Sequence, residues 1–143
     1  MSHAAEHRED WRQPIVLVVE DEPLIRMAMA AAFRRAGLTV IEACDAAEAL
    51  DIVHTGVEPD ALLTDILMPG PIDGLRLAAL LEATFPSMEV FVSSGYLSGS
   101  DLKLRLNFIP KPTEPDAVAR AIKYVLMRGK PEVGPQPDWR LPD

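Results

Sequence analysis

A chain of 143 residues with an apolar content ordinary for a globular protein allows one domain with a proper core. Its net charge of −8 argues against a nucleic-acid-coating surface, which needs clustered Lys and Arg. No apolar run nears the roughly 20 residues that span a bilayer, the start lacks a signal-peptide core, and the single Cys44 fits a reducing cytosol, so the expectation is a cytoplasmic protein with neither nucleic acid nor membrane as partner.

Residues 1–13 are polar and aperiodic and predict a flexible arm. His3, Glu6 and His7 fit an H-x-x-E-H pattern, but no amphipathic helix surrounds them, so a zinc site is set aside. Ile15–Val19 is a β-branched run that ends in Glu20, Asp21 and Glu22. Pro23 then suits the first position of a helix running to about Ala36, with Leu24, Met27, Ala31 and Ala28 facing inward and Gly37 as its stop. A second strand covers 38–42. Asp45 and Glu48 resemble a capping box opening a short helix through Val53, with His54 in its last turn near Gly56.

In the stretch 61–70, ALLTDILMPG, an apolar run leads through Thr64 to a lone carboxylate, Asp65, and then to a Met68-Pro69-Gly70 turn. This pattern predicts a strand buried on both faces with an acid where it gives way to a loop. Asp73 caps a helix over 74–83, and 88–92 is a fourth apolar run entering Ser93 and Ser94. A fifth short strand ends at Asn107-Phe108-Ile109-Pro110 before Lys111. The last helix follows Thr113, with Asp116 three residues on, and carries the stripe Val118, Ile122, Val125 and Leu126. Residues 129–143 form a Pro-rich tail, leaving 14–128 as a single domain. Alternating strands and helices predict a parallel sheet covered on both faces.

Open parallel sheets form their sites beyond the carboxyl ends of the strands. Glu20 and Asp21 follow the first strand, Asp65 the third, Ser94 the fourth and Lys111 the fifth. Taken singly, each has a bland explanation as a cap, a turn residue or a solvated charge. The set at matching strand ends is harder to dismiss.

Glu20-Asp21, Leu63-Thr64-Asp65-Ile66-Leu67-Met68-Pro69, Ser94-Gly95-Tyr96 and Lys111-Pro112 together resemble the signatures of a response-regulator receiver domain of two-component signalling, over roughly residues 13–128. The resemblance implies a flavodoxin-like, doubly wound α/β fold with five parallel strands in the order 2-1-3-4-5 and helices on both faces. It implies Asp65 as the nucleophile that accepts a phosphoryl group from a histidine kinase or a histidine phosphotransfer protein. It implies Mg²⁺ held by Glu20, Asp21, Asp65 and the backbone carbonyl of Leu67, with Ser94 and Lys111 on the phosphoryl oxygens. Ser94 and Phe108 would form the switch that couples phosphorylation to shape and so to a downstream protein target.

The resemblance strains at three places. Glu20 stands where an Asp is commoner, a longer arm that reaches the metal through water. Pro71 is one extra residue in the loop after Asp65. Only 16 residues separate Ser94 from Lys111, which predicts a short or irregular fourth helix and Tyr96 as a candidate cover of the site.

With no effector segment after Arg128, the expected output is through a partner, a homodimer or a relay, and a receiver cut from a hybrid kinase or longer regulator fits equally well. Arg34 and Arg35, and Trp11 and Trp139 in the tails, are candidate docking residues. An Asp-dependent Mg²⁺ phosphohydrolase is the competing class, disfavoured because Leu67 occupies the place of the second acid of a D-x-D pair. A flavin-binding analogue is disfavoured by the acidic loop after the first strand.

Overall fold

Five runs of β-branched and apolar residues become the strands of one sheet. The computed structural model describes residues 13–94, 106–111 and 113–128. The expected arm (but for residue 13), the short helix and Tyr96 within 95–105, and the Pro-rich tail lie outside them. The elements in chain order are β1 (Ile15–Val19), α1 (Pro23–Arg35), β2 (Thr39–Ala43), α2 (Ala46–His54), β3 (Ala61–Asp65), α3 (Gly74–Thr84), β4 (Glu89–Ser94), β5 (Asn107–Pro110) and α4 (Pro115–Met127). All four strand pairings are parallel and the order is β2-β1-β3-β4-β5, the doubly wound arrangement expected.

The continuous apolar strands follow from cover on both faces. Val16, Val18, Leu63, Phe91 and Ile109 pack toward Phe33 of α1 and Val118 and Ile122 of α4. Their alternate neighbours Leu17, Val19, Leu62, Val90 and Val92 pack toward Ala49 of α2 and Leu77 and Leu81 of α3. The caps act as read from sequence at α2 and α3: Asp45 accepts from the Glu48 N–H at 2.8 Å, and Asp73 from the Arg76 N–H at 2.8 Å.

Two readings are corrected. The face of α1 expected to point inward points outward: Leu24 is 76% and Met27 58% exposed, and Ala28 and Ala31 are exposed as well, while Ala30, Ala32 and Phe33 are buried. In a helix with four alanines between Ala28 and Ala32, rotation changes little in the apolar count, so the bulky Phe33 decides which stripe meets the sheet. At α4 the N-cap is Glu114, without a side-chain cap bond, and the Thr113 hydroxyl donates instead to the Pro110 carbonyl.

The start of α3 sets the position of the β3 terminus. Gly74 donates its N–H to the Ile66 carbonyl at 2.9 Å. A Cβ built on Gly74 would lie 1.8 Å from the Asp65 carbonyl oxygen and 3.0 Å from the Thr64 hydroxyl. Helix and strand backbones therefore touch where only glycine fits. Gly74→Ala is expected to cost roughly 1–3 kcal/mol as the backbones are forced apart, read as a lower urea midpoint than that of wild type; an unchanged midpoint would mean the contact is looser than described.

Candidate functional site

The parallel register brings the ends of β1, β3 and β5 to one edge of the sheet. Val19, the last residue of β1, pairs with Thr64, and Asp65 pairs with Ser93. Thus Glu20 and Asp21, one and two residues past β1, stand beside Asp65. Carboxylate oxygens of Glu20, Asp21 and Asp65 all lie within 4.8 Å of one another. Lys111, just past β5, reaches across to Asp65 with Nζ 2.8 Å from Oδ2.

The surroundings of the three acids differ. Glu20 is buried, and its Oε2 accepts the Glu22 N–H at 3.0 Å. Burial pushes its carboxyl above the ordinary glutamate range, with the Asp65 charge adding to the rise, while the Glu22 N–H and Lys111 oppose it. Asp65 keeps 13% of its side chain exposed, enough for approach from solvent, and Asp21 is open to water. Directly behind Asp65, the fully buried Thr64 hydroxyl donates to the Asp65 carbonyl at 2.9 Å.

The donor set fits a hard divalent cation: carboxylate oxygens only, close enough to share one ion, with part of the shell open to water. Leu67, whose backbone carbonyl is the expected further ligand, follows Asp65 by two residues with its side chain 65% exposed. Ser94 ends β4 opposite Pro110, its side chain lying outside the described residues. Phe108 is half-buried and packs on the α2–α3 side of the sheet. The site residues Glu20, Asp21, Asp65 and Lys111 thus converge; Tyr96 lies outside the described residues.

Other features were not legible from the sequence. A cleft of about 410 Å³ opens beside Asp65 and Lys111, walled by Leu24, Ile25, Ala28, Met29, Pro115 and Val118. Of its α1 residues, Leu24 and Ala28 belong to the face expected to point into the core. Arg34 and Arg35, candidates for docking, are engaged with Glu42 at 3.3 Å and Asp116 at 2.8 Å. Arg26 drew no notice, yet it donates to the Glu20 carbonyl at 2.9 Å; a charged residue inside the stripe of Met29 and Phe33 was the available signal.

Against known proteins, the family described as response regulator receiver domain matches over residues 16–123. The sensor kinase CckA of Brucella abortus (strain 2308) is 34% identical over 117 residues, covering 78% of this chain and 12% of that kinase. The response regulator MprA of Mycobacterium avium (strain 104) is 30% identical over 122 residues, covering 82% of this chain and 53% of that regulator. The chain therefore spans from about an eighth to about half of these relatives. A crystal structure of the receiver domain from the hybrid histidine kinase CckA matches with a TM-score of 0.66 at 34% identity, covering 78% of this chain and 98% of that domain. A response regulator receiver protein from Sinorhizobium medicae WSM419 matches in fold with a TM-score of 0.74 at 22% identity, covering 82% of this chain and 97% of that one.

The raised Glu20 pKa fixes the sign of a pH effect. A carboxyl that binds its proton more tightly folded than unfolded contributes stability below the ordinary value of about 4.5, and that contribution is lost as pH rises through the folded value. The metal-free Glu20→Gln variant should therefore gain on wild type as pH is raised from 4 to 7, measured by urea unfolding, and millimolar Mg²⁺ should shrink its advantage. A constant difference across that range would show the Glu20 carboxylate to be unstrained.

Proposed function

The chain belongs to the response regulator receiver domain family, and from that premise we propose that Asp65 is its phosphoacceptor, within a signalling module formed by residues 14–128. The carrying observation is the Asp65 carboxylate, 13% exposed, with Lys111 at 2.8 Å and two further acids within 4.8 Å. Phosphoryl transfer asks mainly for positioning and charge neutralisation, which is what this group of residues offers.

Glu20, Asp21, Asp65 and the Leu67 carbonyl would hold Mg²⁺, which when bound offsets the crowded carboxylates and neutralises phosphoryl charge. An Asp65 oxygen attacks the phosphorus of a phosphohistidine, the O–P bond forms, and the N–P bond breaks with its electron pair left on the imidazole nitrogen. Lys111, released from its pairing with the free carboxylate, follows the new charge onto a phosphoryl oxygen as a point charge. The Ser94 hydroxyl donates to another, and Phe108 repacks behind it. Phosphorylation shifts the balance between two shapes by the difference in these contacts.

Receivers of this family take their phosphoryl group from histidine kinases or phosphotransfer proteins. Four large side chains face water: Leu24 at 76% and Ile25 at 43% exposure line the cleft beside Asp65, Met27 at 58% follows Leu24 by three residues on α1, and Leu67 at 65% follows Asp65 by two residues. Such exposed apolar side chains suit the apolar face of a donor helix that presents its phosphohistidine to Asp65. A downstream protein target reads the phosphorylated shape in the cytoplasm. The greater length of the relatives also fits a receiver embedded in a hybrid kinase or longer regulator. Turnover of external phosphomonoesters lacks support, because Leu67 places no acid two residues past Asp65.

Incubation with Mg²⁺ and acetyl phosphate should add one phosphoryl group by intact mass, absent in Asp65→Asn and much reduced by chelation. Labelling that survives Asp65→Asn would move the acceptor elsewhere. Lys111→Ala should keep most of the mass shift yet blunt partner binding, and equal binding by variant and wild type would remove Lys111 from the response. Met27→Glu should slow transfer from a phosphorylated kinase or phosphotransfer protein about tenfold or more, the equivalent of roughly 1.4 kcal/mol, while acetyl phosphate labelling stays at the wild-type rate. Equal slowing with both donors would place Met27 in the chemistry and not in docking.

A further inference from the structure

Arg26 sits in the buried stripe of α1, three residues before Met29 and seven before Phe33, with its side chain only 20% exposed. Its Nη1 donates to the backbone carbonyl of Glu20 at 2.9 Å. Its Nε lies 3.4 Å from Oε1 of Glu42 on the edge strand β2. The other Glu42 oxygen is 3.3 Å from Nη1 of Arg34, whose Nη2 donates to the Val40 carbonyl at 3.1 Å. The guanidinium is thus anchored on the sheet edge and aimed at one peptide group.

That peptide group lies between the two acids. Glu20 is fixed at three points: its N–H donates to the Ala43 carbonyl at 3.1 Å, its carboxylate accepts from Glu22, and its carbonyl accepts from Arg26. The restrained carbonyl and the N–H of Asp21 share one rigid plane. Its orientation therefore sets the direction in which Asp21 leaves the strand. Without that anchor the plane is free to turn, and Asp21 need not converge with Glu20 and Asp65.

We propose that Arg26 is a positioning residue for the divalent cation: it orients the Glu20–Asp21 peptide so that both carboxylates meet Asp65. This rests on the reading of Glu20, Asp21 and Asp65 as the cation's ligands. The role needs the planar fork, which serves the carbonyl and Glu42 together, and a lysine ammonium cannot reproduce it. Groups that orient metal ligands without touching the metal typically carry about 10- to 100-fold in affinity.

Mg²⁺ titration by calorimetry, alongside metal-free thermal unfolding, tests this on wild type, Arg26→Lys, Arg26→Met and Glu42→Gln. Mg²⁺ affinity should fall about tenfold or more in both Arg26 variants, while Glu42→Gln, which still offers Arg26 an acceptor oxygen, stays near wild type. The unfolding temperature should fall in Arg26→Met but hold in Arg26→Lys, which separates loss of affinity from loss of fold; should Arg26→Met fail to fold, Arg26→Lys alone decides. Wild-type affinity in Arg26→Lys would overturn the proposal, showing that charge suffices or that the arginine only braces α1 against β2. Absence of Mg²⁺ binding by wild type would overturn the ligand reading itself, whereas wild-type binding with unaltered Arg26 variants overturns the positioning role alone.

Discussion

Like-charge crowding at the sheet's edge is the constraint on which the rest depends. Three carboxylates within 4.8 Å of one another repel by roughly 1–4 kcal/mol per pair, depending on how much water lies between them. One lysine, itself partly exposed, offsets only a share of that. The fold nevertheless holds the acids together, because their backbones are fixed by things indifferent to charge. The β1–β3 register sets Val19 beside Thr64, the Glu20 N–H bonds to Ala43, and the helix start at Gly74 abuts the Asp65 carbonyl. Stability from the rest of the core is thus committed to a local arrangement that is unfavourable without a cation to offset it.

The double-faced core explains how so small a domain sustains this. Each central strand contributes to two apolar layers, alternate residues packing toward α1 and α4 or toward α2 and α3. Thr64, the last wholly buried residue before Asp65, turns its hydroxyl to the Asp65 carbonyl, so the polar site begins where the apolar layers end. Little of the chain near Asp65 is then free to relax by shifting the strand. Accommodation falls to side chains, Lys111 and the exposed Asp21 above all.

Much of this was legible in sequence. A strand covered on both faces is apolar on both, so Ile15–Val19 and the run 61–63 stood out, and acids at their ends meet because β1 and β3 are neighbours in the sheet. What misled was composition. The run from Ala28 to Ala32 gives α1 no strong periodicity, so Leu24 and Met27 were read as core when they face water. Thr113 looked like a cap because of Asp116 three residues on, but its hydroxyl is taken by the Pro110 carbonyl. Arg26 was missed for a different reason: its partners are a backbone carbonyl and a residue 16 positions away, and no local pattern announces either. Glu20 was expected to reach a metal through water; that its carboxylate also accepts the Glu22 N–H and is buried was not legible from residue type alone.

The hydrogen bond from Gly74 to the Ile66 carbonyl closes the connection between β3 and α3 at its base. Everything from Leu67 to Asp73 is therefore an excursion whose two ends are pinned together, with Gly70 at a φ of +101° and Pro71 near its tip. Closing such a loop depends only weakly on its length. The tip can therefore be lengthened or shortened without moving the Asp65 carboxylate. That leaves a spot at the rim of the acidic cluster where the surface can vary while the carboxylates beneath stay put.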